Sequence, residues 1–80
     1  MSNEFYQFNN KELKGQKVEI LEINLEKDNK LKLERIGLFP STIVEILDDK
    51  LDSITIFKIN NVKYAIRTND ANNIIVKKVN

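Results

Sequence analysis

This chain of 80 residues has no cysteine, no histidine and no tryptophan, and only two glycines and one proline. Without cysteine there is neither a disulfide framework nor a thiolate metal site to reinforce so short a chain. With histidine also missing, the usual general bases and thiol nucleophiles are gone, so the chain is not expected to be an enzyme. Ser2, Ser41 and Ser53 have no histidine to activate them, and no glycine-rich loop is present to cradle a phosphate. An excess of one charge is lacking as well, because 13 basic and 12 acidic side chains leave a formal net charge of +1. That balance gives neither the broad positive field of a nucleic-acid binder nor attraction to an acidic membrane surface. No apolar run approaches the roughly 20 residues of a membrane-spanning helix, and the opening MSNEFYQFNN lacks the blocks of a signal peptide. The expected location is the cytoplasm.

What is present is enough for one core and not for two. The chain is 41% hydrophobic, and a domain of this size buries only about 60% of its unfolded surface, so every apolar residue counts. Lys, Asn and Ile occur 11 times each. All three have AT-rich codons, and no function is read from them as a group.

The hydrophobic pattern is that of short strands. Residues 1–10 read as an N-terminal arm and residues 11–80 as the folded domain. Lys17–Leu25 alternates through Val18 and Ile20, then shifts phase to Leu21, Ile23 and Leu25, which predicts a bulge. Asp28 and Asn29 can cap a short helix carrying Leu33 and Ile36 on one face, closed by Gly37 and stopped by Pro40. Thr42–Leu47, Ile54–Ile59 and Val62–Arg67 are further strands, the last two joined by Asn60-Asn61, a pair suited to a type I′ hairpin. Thr68–Asn73 makes a helical turn before a last strand, Ile74–Val79. The expectation is a mainly all-β, five-stranded small barrel with one short helix between strands 1 and 2.

The order of small motifs resembles a known family. Lys32-Leu33, then Ile36-Gly37-Leu38-Phe39-Pro40, is similar to the basic–Leu–x–x–Leu–Gly–Leu–x–Pro–Gly signature of the FeoA family. Thr42-x-Val44-x-Ile46, Tyr64-Ala65-Ile66-Arg67 and Ala71-x-x-Ile74-x-Val76 follow in the family's order, and Leu13-x-Gly15 with Val18 and Ile20 fits its opening. The resemblance implies an SH3-like barrel and a cytosolic accessory role in bacterial ferrous iron uptake, with FeoB, a large membrane transporter carrying a GTP-binding domain, as partner. The same domain also ends metal-dependent repressors. Ser41 stands where the family has glycine after the proline, and a type I turn is expected there because positive φ is costly for serine.

Candidate contact residues are few. Asp48, Asp49 and Asp52 are the best carboxylate cluster for a metal, although carboxylates alone are a poor ferrous site and a solvated turn is the better explanation of them. Neither a metal nor a cofactor is expected. Arg35 and Arg67 could reach a partner's phosphate chemistry. Phe39 and Leu51 are apolar candidates, and loop 48–53 with nearby strand edges is the expected docking surface. Phe5, Tyr6 and Phe8 either fold back onto the core or anchor a partner. Two other classes stay open. One is a small-barrel nucleic-acid or regulatory module using Lys77 and Lys78 near Lys27, Lys30 and Lys32. The other is a weakly metal-binding iron chaperone.

Overall fold

The computed structural model describes residues 4–47 and 52–79. Its elements run β1 (Tyr6–Gln7), a 3-10 turn (Lys11–Leu13), β2 (Lys17–Ile23), α1 (Lys27–Arg35), β3 (Ile43–Ile46), β4 (Ile54–Ile59), β5 (Val62–Arg67), α2 (Thr68–Ala71) and β6 (Ile74–Lys78). The strands form one antiparallel sheet in the order β1-β6-β2-β3-β4-β5.

This corrects the expected closed, five-stranded SH3-like barrel. The five expected strands are present, but Tyr6–Gln7 adds a sixth by pairing with Val76 and Ile75. β1 and β5 are the two ends of the order, with no ladder between them, so the sheet is open. A two-residue strand has no alternation to detect, and the ladder that β1 makes is with β6. The backbone of Phe8 extends the same ladder by donating to the Ile74 carbonyl at 2.9 Å.

The bulge lies where the phase shift placed it. Ile20 opposes Val76 and Glu22 opposes Ile75, leaving Leu21 as the extra residue on β2. On either side of it, Val18, Ile20 and Ile23 all reach the core.

α1 starts earlier than expected. Its N-cap is Glu26, which makes no side-chain cap bond, whereas Asp28 lies inside the first turn. There a carboxylate complements the helix dipole without serving as the cap. The C-terminus has a complete Schellman closure. The amide of Gly37, at φ 93°, donates to Glu34 at 3.0 Å, and that of Leu38 donates to Leu33 at 2.9 Å. Leu38 is fully buried, so the motif fastens α1 to the sheet.

Ser41 also departs from expectation. It takes φ 82°, and the amide of Thr42 donates to the Phe39 carbonyl at 3.0 Å. Proline second and positive φ third identify a type II turn. Surrounding bonds explain why serine accepts the strain. Its amide donates to Ile20 at 2.7 Å, and the Thr42 hydroxyl donates to Gly37 at 3.0 Å. Ser41→Gly is therefore expected to stabilise the chain by about 0.5–1 kcal/mol, relief of strain exceeding the added freedom of the unfolded chain. A higher urea midpoint at unchanged m-value would show it; a lower midpoint would mean that the serine side chain stabilises the turn.

The core sits on one face of the sheet. Phe8, Leu13, Val18, Ile20, Leu38, Val44, Phe57, Ile74 and Val76 are its largest fully buried side chains. Phe57 is central, meeting Phe8 edge-on at 5.3 Å between centroids and stacking on Tyr64 at 5.8 Å. The one buried polar residue among those described, Thr55, shares a 3.3 Å hydrogen bond between its hydroxyl and that of Thr68.

Candidate interaction surface

The β4–β5 hairpin sets out an exposed row of side chains. Asn60 and Asn61 have φ of 51° and 68°, the expected type I′ geometry. A two-residue turn makes Ile59 and Val62 a hydrogen-bonded pair, and the alternation then runs through Phe57–Tyr64 and Thr55–Ile66. The next bond in the series, Thr68 amide to Ser53 carbonyl at 2.9 Å, has the same register. On the other side, Leu47 donates to the Ile56 carbonyl at 2.9 Å, so the main-chain groups of Ile56 face β3.

Side chains alternate with equal strictness. Val62, Tyr64 and Ile66 lie on the core side, and Lys63, Ala65 and Arg67 on the outer side, all three exposed. Lys58 opposes both Lys63 and Glu45, and Glu45 opposes Lys17, so a mainly basic row crosses four strands. Among the described residues no carboxylate is in ion-pair range of Lys58, Lys63 or Arg67.

The named candidate residues do not converge on one site. Arg35 is exposed in the last turn of α1, and Phe39 is 46% exposed in the turn after it. Gly37, between them, lies against Ile59, where a Cβ at position 37 would sit 4.0 Å from the Ile59 Cγ2. Arg67 instead opposes Ile54, at the other end of β4. Five strand steps separate Ile54 from Ile59, about 16 Å. Arg67 borders a shallow depression with Asp52, Ile54 and Asn69.

Asp48, Asp49 and Leu51 lie outside the described residues. Asp52 is exposed and sits 4.0 Å from the Lys11 amine, a solvated pair worth little. Among the described residues no group of three potential metal ligands is assembled. The expected basic cluster at the chain's end is divided by the pleat. Lys77 lies 3.7 Å from Glu19 on the outer face, whereas Lys78 sits over the Tyr6 ring, 5.1 Å from its centroid. The Tyr6 hydroxyl donates to Glu4 at 2.8 Å, and that bond, with lesser desolvation, raises its pKa above the ordinary phenol value. It stays protonated at neutral pH.

The aromatic segment at the N-terminus divides between two environments. Phe8 is fully buried, while Phe5 is 63% exposed. Neither Lys63 nor Ala65 is among the sequence's candidate contact residues, Ala65 entering only through the family-like segment, although the every-second-residue spacing with Arg67 is there to read.

No helix among the described residues is long and apolar enough to cross a membrane. No protein of curated function matches this chain. Among solved structures, an iron uptake regulatory protein (FeoA) superposes with a TM-score of 0.82 at 21% identity, over 95% of this chain and 100% of the other. The FeoA protein of Chlorobium tepidum gives 0.83 at 18% identity, over 94% and 71%. A manganese-dependent transcriptional repressor gives 0.82 at 12% identity, over 99% of this chain but 44% of the repressor. These likenesses show a shared fold. The FeoA domain family matches residues 13–78 directly. The chain therefore belongs to the FeoA family, whose members are non-catalytic accessory domains of iron transport.

Proposed function

We propose that this chain docks on the cytoplasmic portion of a FeoB-like transporter with a GTP-binding domain and biases its conformation during ferrous iron uptake. The family match over residues 13–78 carries the reading. The chemistry of the chain agrees with it, since a chain with neither histidine nor cysteine is poorly equipped to carry ferrous iron itself. A binding partner changes a transporter's equilibrium only by preferring one of its states, so the module acts through differential affinity. Arg35, Phe39 and Arg67 are offered as contact residues, with Leu51 and loop 48–53 retained from the sequence.

The test is an anaerobic pull-down from detergent-solubilised native cells, with this chain as bait and mass spectrometry as readout. Specific recovery of the transporter is the expected result. Recovery of nucleic-acid-associated proteins without it would reverse the reading. Charge-reversal of Arg35 or Arg67 then asks whether GTP turnover by the transporter depends on either arginine.

A further inference from the structure

We infer that the outer edge of β5 is a strand-addition site for an extended protein segment that alternates acidic and apolar side chains. The inference deepens the proposed accessory role, because it names the surface used and the kind of segment that would occupy it.

The register makes the case. Val62, Tyr64 and Ile66 spend their main-chain groups on β4, so those of Lys63, Ala65 and Arg67 point away from the sheet. β5 ends the strand order, and among the described residues no backbone bond outside the helices and ladders engages Lys63 or Ala65. The N–H groups of Lys63, Ala65 and Arg67 and the C=O groups of Lys63 and Ala65 are therefore presented at two-residue spacing to an incoming strand, the Arg67 carbonyl sitting at the N-cap of α2. The edge is bounded at its far end, where the Asn9 side-chain amide donates to the Thr68 carbonyl at 3.3 Å.

Side chains select the occupant. On the outer face Lys63 and Arg67 flank the small Ala65, with Lys58 one strand inward. An arriving strand would place alternate residues beside this cationic row, where acidic side chains are favoured. Its remaining residues would lie on the core side, next to half-exposed Val62 and partly buried Tyr64. Apolar side chains suit that position.

The same pattern disfavours a second copy. An antiparallel β5–β5 pair centred on Ala65 would set Lys63 directly opposite Arg67 twice, and like charges directly opposite are destabilising. Natural edge strands carry lysine for this purpose. The edge thus resists its own kind while accepting a segment of opposite charge.

The probe is a nine-residue peptide alternating glutamate and valine, titrated into isotope-labelled protein, with a lysine–valine peptide as control. The expected result is amide shift changes and slowed hydrogen exchange at Lys63, Ala65 and Arg67, at least about tenfold weaker with the control. Ala65→Pro removes one outward donor without breaking the β4 ladder, a change edge strands tolerate, and should weaken binding about tenfold. Should that variant lose its native spectrum, the double charge reversal Lys63→Glu with Arg67→Glu gives the second test, expected to invert the peptide preference. Equal binding of both peptides, shifts confined to other strands, or a concentration-dependent dimer through β5 would each overturn the inference. Used as bait, Ala65→Pro separates the two proposals. If it recovers the transporter as well as the wild-type chain does, the edge inference falls and the accessory reading stands. If the acidic peptide binds the edge but neither bait recovers the transporter, the reverse holds.

Discussion

Replacing Phe8 with alanine is expected to cost about 3–5 kcal/mol, the usual range for truncating a buried aromatic. A chain of 80 residues has total stability of roughly 4–12 kcal/mol, so the loss removes at least about a quarter of it. Phe8 has no solvent exposure, meets Phe57 edge-on at 5.3 Å, and its amide extends the β1–β6 ladder. The substitution would remove the ring and loosen the strand beside it. Phe5→Ala serves as the comparison, because Phe5 is largely exposed and its loss should cost under about 0.5 kcal/mol. Urea unfolding of both variants measures the difference. Near-equal midpoints would mean that the N-terminal segment detaches freely and that its aromatics are available to a partner.

Leu38→Ala should be nearly as damaging, at about 2–5 kcal/mol. Leu38 is fully buried and follows Gly37 at the closure of α1, with Leu33 packed against the same core. Its truncation leaves a hole where the helix is fastened, so α1 should lose its hold on the sheet. Leu31→Ala, on the exposed side of the same helix, should change stability by less than about 0.5 kcal/mol. Hydrogen exchange tells local from global loss. Selective deprotection of residues 27–35 would mark a detached helix, whereas uniform deprotection would mark collapse of the whole core.

Much of this fold could be read from residues because its signals were local. The Asn60-Asn61 pair specified its turn, and Leu21 marked the bulge by interrupting an alternation. Gly37 and Pro40 bounded the helix, and Val62–Arg67 alternated visibly. What escaped depended on contacts across the chain. Tyr6–Gln7 becomes a strand only because β6 lies beside it, which nothing in a two-residue segment announces. Ser41 was expected to avoid positive φ, yet bonds to Ile20 and from Thr42 to Gly37 hold the turn in the strained form. The same limit applied to the interaction surface. Residue type pointed to arginines and exposed aromatics, but which main-chain groups face outward is set by hairpin register.

The position of β6 has a consequence for how the chain becomes folded. β2, β3, β4 and β5 follow one another in both sequence and space, so each can pair with its predecessor as soon as it is made. β6 belongs on the far side of β2, and β1 can pair only once β6 is in place. During synthesis β2 therefore waits with one edge open until residues 74–78 have left the ribosome. Phe8, meanwhile, has no strand to hold it over Phe57. Long-range pairing of this kind is slow, and an open hydrophobic edge is where nascent chains associate wrongly. Pairing of β6 thus sets the moment at which this edge of β2 is covered.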